Sequence, residues 1–114
     1  MKKILAIILA VMMLIPSFAM AENVVKIGVF EPASGDSGAG GKQEILGMQY
    51  ANKVQPTVMI GDTEYTVQLV YADNASSTDK APSAASELVN QGASVVLGSY
   101  GSGGMRLEIV EKEI

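Results

Sequence analysis

Two glycine- and serine-rich segments carry most of the chain's capacity for polar recognition: Glu31 to Gly41, EPASGDSGAGG, and Ser99 to Gly104, SYGSGG. Such segments offer backbone N–H groups that approach a ligand closely, serine hydroxyls, and the start of a following helix. That combination suits a small anion such as a carboxylate. A nucleotide phosphate fits less well. The dinucleotide pattern G-x-G-x-x-G fails at Gln43 in the first segment and at Arg106 in the second. The phosphate-cradling pattern finds Gly41-Lys42 but meets Asp36 and Gln43 where it needs glycine and a hydroxyl. Glu31 and Asp36 would also repel a phosphate, which the lone Lys42 offsets only in part. Glycines in one loop more often serve tight turns; two such loops at one sheet edge favour a binding site.

Other chemistry is narrowly bounded. The chain has no His and no Cys, which removes imidazole and thiolate metal sites, Cys-His pairs and Ser-His-Asp triads. An enzyme would have to run on carboxylates, Lys or Tyr, with Glu31, Asp36 and Asp73 as the candidates for a secreted hydrolase. Acids at loops are more commonly caps and turn formers, so this is the second reading and no cofactor is implied. Asn74-Ala75-Ser76 matches a glycosylation sequon but reads as a plain turn.

The elements that would position these loops follow from periodicity. Val24 to Phe30, VVKIGVF, is an apolar β-branched run suited to a strand buried on both faces of a parallel sheet. A helix is predicted from Lys42 to about Lys53, with Ile45, Met48 and Ala51 on one face, Leu46 and Tyr50 four apart, Gly47 inside it and Pro56 beyond it. Val58 to Ile60, a Gly61-Asp62 turn and TEYTVQLVYAD read as a hairpin. After the polar turn DNASST, a helix capped by Thr78 or Asp79 runs to about Gln91. Its expected apolar face is Ala81, Ala84, Ala85, Leu88 and Val89, Pro82 falls in its first turn, and Gly92 terminates it. Ser94 to Gly98 is a third buried-strand candidate, and Met105 to Ile114 begins another helical pattern. The order predicts an α/β fold with an open, mostly parallel sheet, whose ligands sit beyond the carboxyl ends of the strands.

Residues 1–21 read as a secretory signal peptide. Lys2 and Lys3 are followed by an apolar run from Ile4 to Ile15, the break at Pro16-Ser17, and Ala19-Met20-Ala21 as the cleavage site. No cysteine follows for lipid attachment, so the product is expected to be soluble and periplasmic. Without that segment, six basic residues face twelve acidic ones, a net charge of −6. Such a surface disfavours nucleic acid. The remaining 93 residues suffice for one small domain at most.

VVKIGVFEPASGDSGAGGKQEILGMQYA, followed by YTVQLVYADNASSTDKAPSAASELVNQGASVVLGSYGS, resembles the start of the periplasmic branched-chain amino-acid-binding proteins, the type I solute receptors of ABC importers. The shared features are a strand, a P-x-[ST]-G loop, a helix with an internal Gly, a hairpin, a D-x-x-[ST] turn, a helix ending in Gly, and V-V-x-G-S-x-x-S. The resemblance implies two α/β lobes closing over an amino acid, with residues 22–114 as a partial N-terminal lobe, and a monomer that docks on the importer's membrane subunits. It places Ser99, Tyr100, Gly101 and Ser102 at the ligand's α-carboxylate. The first loop of such receptors often adds an aromatic ring, but the matching position here falls near Gly40. The segment after Gly103, GMRLEIVEKEI, departs from the family, and the second lobe is lacking. The expectation is therefore a truncated receptor fragment, with an exported fragment lacking ligand function as a further alternative.

Overall fold

The computed structural model describes residues 22–102. The expected signal peptide and the helical pattern from Met105 onward lie outside the described residues. Six elements follow in order: β1 (Val24–Glu31), α1 (Gly38–Val54), β2 (Thr57–Ile60), β3 (Thr63–Asp73), α2 (Ala81–Asn90) and β4 (Val95–Leu97). They form one four-stranded sheet in the order β2-β3-β1-β4. β1 runs parallel to β3, from Val24 opposite Thr66 to Glu31 opposite Asp73, and parallel to β4, from Ile27 opposite Val95 to Val29 opposite Leu97. Only β2 is antiparallel, pairing Thr57–Ile60 with Thr66–Thr63 across the Gly61-Asp62 turn. The expected open, mostly parallel α/β sheet is the observed one.

Alternation along the strands divides the packing. Val70 and Ala72 of β3 meet Ala84 and Leu88 of α2, with Phe30 and Ala93 against the same cluster. Val29, the neighbour of Phe30, points the other way and lines a cleft with Ile45 of α1. On α2 the residues at i, i+3 and i+7, Ala81, Ala84 and Leu88, are buried, while Val89 stays 45% exposed. The two alanines let the helix lie close to the sheet, and Leu88, fully buried, fills the space between them.

Several boundaries differ from the sequence expectation. α1 begins at Gly38, four residues before Lys42, so the glycine tract forms its first turn. Gly38 and Gly41 are buried there, and a Cβ on Gly41 would collide with the Pro32 carbonyl. Contact with the incoming loop thus overrides glycine's low helix propensity, a cost of about 1 kcal/mol per residue. Gly47 has nothing near it and is simply tolerated. α2 begins at Ala81 behind Lys80 with no side-chain cap, so neither Thr78 nor Asp79 serves as its N-cap. Pro82 lies in the first turn and Gly92 has φ +85, both as expected. β4 is not a buried strand: Val95, Val96 and Leu97 are 43–49% exposed, because it ends the sheet and the helices pack chiefly on β1 and β3. β1 is buried only in its second half.

Candidate ligand-binding edge

The parallel strands β1, β3 and β4 end at the same edge of the sheet, and the three segments that leave them are tied together there. Asp73, the last residue of β3, accepts hydrogen bonds from the Ala33 amide at 2.8 Å, the Ser34 hydroxyl at 2.6 Å and the Ala75 amide at 2.8 Å. Burial by itself would raise its pKa, but these donors, the Ser34 amide among them, outweigh it and hold Asp73 below the ordinary carboxylate value. Ser76 reinforces the tie, its hydroxyl accepting from the Ser37 amide at 2.9 Å and donating to the Ser34 carbonyl at 3.2 Å. Ala75 and Ser76 both adopt left-handed backbone, φ 54 and 56, a cost that is accepted where the surrounding bonds over-determine the turn.

The third loop joins through two buried side chains. Asn74, fully buried, donates to the Ser99 hydroxyl at 2.8 Å and accepts from the Ser76 amide at 3.1 Å. That burial makes the sequon a structural turn, as expected. Glu31 accepts from the Tyr100 amide at 2.7 Å and is 1% exposed. Burial pushes its carboxyl above the ordinary value; the Tyr100 amide opposes this, and the neighbouring Glu44 carboxyl adds to it.

Ser99, Tyr100, Gly101 and Ser102 therefore sit where the sequence places them, beyond β4 at the carboxyl edge. Their surroundings differ. The Ser99 hydroxyl is half-buried and engaged by Asn74, whereas Gly101 and Ser102 are exposed. The Tyr100 ring lies directly against Gly40, where any Cβ would collide with it. An aromatic ring thus stands over the first turn of α1, supplied by the β4 loop instead of the β1 loop. Ser37 caps α1 without a side-chain hydrogen bond, and among the described residues no acceptor serves the Ala39 and Gly40 N–H groups. The edge therefore offers amide donors, an exposed hydroxyl and an aromatic face, a set able to hold a carboxylate beside an apolar group.

Sequence reasoning missed Asn74 and Glu31 as supports of this edge. Asn74 was legible as part of a polar turn, but its burial depends on the Ser99 loop folding over it. The hydrolase reading finds little support in the placement of its three acids. Asp73 is occupied by loop donors, Glu31 is buried beneath the Tyr100 amide, and Asp36 lies exposed in the turn before α1.

Two cavities accompany the sheet among the described residues. One, about 380 Å³, lies toward the amino end of β1 and is lined by Glu22, Val24, Asn52 and Thr66. The other, about 350 Å³, borders the carboxyl edge, with Glu31, Ala33, Ile45, Asp73 and Glu87 in its walls. No described helix is long and apolar enough to cross a membrane.

No family model matches the sequence, and no curated protein matches it. Among solved structures, the chain is similar to a leucine-binding protein, LivK, from Thermotoga maritima, with a TM-score of 0.62 and 29% identity over 71% of this chain. The match covers 22% of that protein, so the chain spans about a fifth of its length. The likeness supports the fold of part of a periplasmic binding protein lobe.

Proposed function

We propose that this chain is an amino-acid-binding component, of the branched-chain type, of an ABC importer. In this reading residues 1–21 are a leader removed after Ala21, and residues 22–114 form part of the N-terminal lobe of a periplasmic receptor that docks on the importer's membrane subunits. The leader pattern supports export, and the likeness to a leucine-binding protein supports the solute class. The observation that carries the reading is the convergence of the β1, β3 and β4 loops around Ser99 to Ser102, beside the uncapped start of α1.

At that edge the ligand's α-carboxylate is received by the Gly101 backbone and the Ser102 hydroxyl, with the α1 dipole adding to the attraction. Tyr100 provides an apolar wall for the side chain. Ser99 acts chiefly through Asn74, which orients it.

Titrating the full chain with L-leucine, L-isoleucine and L-valine tests this, with amide chemical shifts as the readout. Saturable shifts confined to Gly40 and Ser99–Ser102 are expected. Ser102→Ala should weaken binding by roughly tenfold, the effect of losing one hydrogen bond to a charged group. A wild-type chain whose spectrum no amino acid perturbs would refute the proposal.

A further inference from the structure

Asn74 holds more of the sheet edge than its own turn requires. It is fully buried, and its backbone is fixed at both ends: the N–H donates to the Glu31 carbonyl at 3.4 Å and the carbonyl accepts from the Ser77 amide at 3.0 Å. Its side-chain Oδ1 accepts from the Ser76 amide at 3.1 Å, which leaves Nδ2 facing the Ser99 hydroxyl at 2.8 Å. The side-chain amide cannot be turned round, because a backbone N–H only donates and so requires the oxygen opposite it. Ser99 Oγ is therefore an acceptor from Asn74, and its single proton points elsewhere. The protein acceptor it meets is the Tyr100 carbonyl at 3.4 Å, beyond the ~2.5–3.0 Å of a well-made O–H···O bond. A hydroxyl that accepts a short bond from an amide is itself a stronger donor. Ser99, half-buried, thus keeps a polarised proton available among the loops of the carboxyl edge.

We propose that Asn74 is a positioning residue that fixes Ser99 as a hydrogen-bond donor to an anionic oxygen, so that this edge selects a carboxylate over the corresponding amide. That the carboxylate belongs to an amino acid rests on the function proposed above; the direction of the Ser99 proton does not. A carboxylate only accepts, whereas a primary amide also turns donors toward a site already made of donors. The hold on Ser99 is anchored in turn. Ser76, whose amide fixes Asn74 Oδ1, also accepts from the Ser37 amide and donates to the Ser34 carbonyl, so the turn that aims Ser99 is the one that ties down the β1 loop.

The test is nuclear magnetic resonance on the full chain, first without a ligand. One Asn74 Nδ2 proton is expected to exchange roughly tenfold more slowly than in an exposed asparagine, as for one hydrogen bond. Ser99→Ala should remove that protection, while Leu88 exchange shows that the core survives. Sodium acetate is then the probe, against sodium chloride at equal ionic strength and against acetamide. Saturable shifts at Ser99 are expected with acetate alone. Ser99→Ala should weaken acetate binding roughly tenfold, the effect of one hydrogen bond to a charged group, and Ser99→Thr, which keeps the hydroxyl, should restore it. Asn74→Ala should bring acetate down to the level of acetamide, and combining it with Ser99→Ala should cost no more than Ser99→Ala alone, whereas independent structural damage would add. If Asn74→Ala fails to fold, the two Ser99 variants decide the matter. An unprotected Asn74 amide, no acetate shift at Ser99, equal binding of acetate and acetamide, or additive effects of the two alanines would each overturn the proposal. A response to acetate with none to L-leucine would support it and refute only the amino-acid reading.

Discussion

Glu31 and Asp73 stand opposite each other at the ends of neighbouring strands, but their surroundings drive their ionisation in opposite directions. Asp73 is met by a hydroxyl and several amides, all of which favour its charge; Glu31 has one amide and a second acid beside it. With its value lowered in the fold, Asp73 contributes stability that is present above its ordinary 3.8 and lost as pH falls through the folded value. Asp73→Asn should therefore lower the urea midpoint at pH 7, and the difference from wild type should shrink at pH 3. An unchanged difference would mean that charge plays no part in tying the β1 and β3 loops. The Asp73 contacts were only partly legible from sequence: a DNASST turn announces an aspartate that binds its own backbone, as it does at Ala75. The bonds to Ala33 and Ser34 span 40 and 39 residues and depend on the register between β1 and β3.

At the scale of elements, α1 carries two kinds of glycine. Gly40 and Gly41 face Tyr100 and Pro32 with no room for a Cβ, whereas Gly47 is exposed with nothing around it. Gly47→Ala is expected to stabilise the chain by about 1 kcal/mol through helix propensity alone, seen as a rise in the thermal midpoint. Gly41→Ala should destabilise it, because the backbone carbonyl it would meet cannot swing aside. Periodicity located the body of this helix, since Ile45 and Met48 are half-buried as expected although Ala51 of the same expected face is exposed, but it placed the start at Lys42. A tract of glycines carries no periodic signal. Its helical state comes from the loop packed against it.

At the scale of the whole molecule, the described core is small. It centres on Val29, Val70, Ala72, Ala81, Ala84 and Leu88, and Leu88 is its largest fully buried apolar side chain. Leu88→Ala should cost about 2–5 kcal/mol, a large share of the ~5–15 kcal/mol typical of small domains. Equilibrium denaturation would show this as a chain largely unfolded in mild urea; a change below about 1 kcal/mol would mean that the core collapses around the missing atoms. The sheet ends in β2 and β4, both with exposed apolar residues, including Met59 and Ile60 on one and Val95 to Leu97 on the other.

By itself the sequence determined the α/β order, the hairpin at Gly61-Asp62, the Ala81, Ala84 and Leu88 face of α2, the stop at Gly92, and the edge on which Ser99 to Ser102 lie. All of these follow from local periodicity and turn chemistry, which act over a few residues. Only the tertiary structure decided that Asn74 is buried under Ser99, that Glu31 lies beneath the Tyr100 amide, that the Tyr100 ring occupies the space left by Gly40, and that β4 is exposed. Those facts depend on contacts between segments 25 to 69 residues apart and on which strand ends the sheet. The physical reason is that burial is a property of neighbours in space. The residue type records what a side chain can do, and the packing around it determines which of those roles it has.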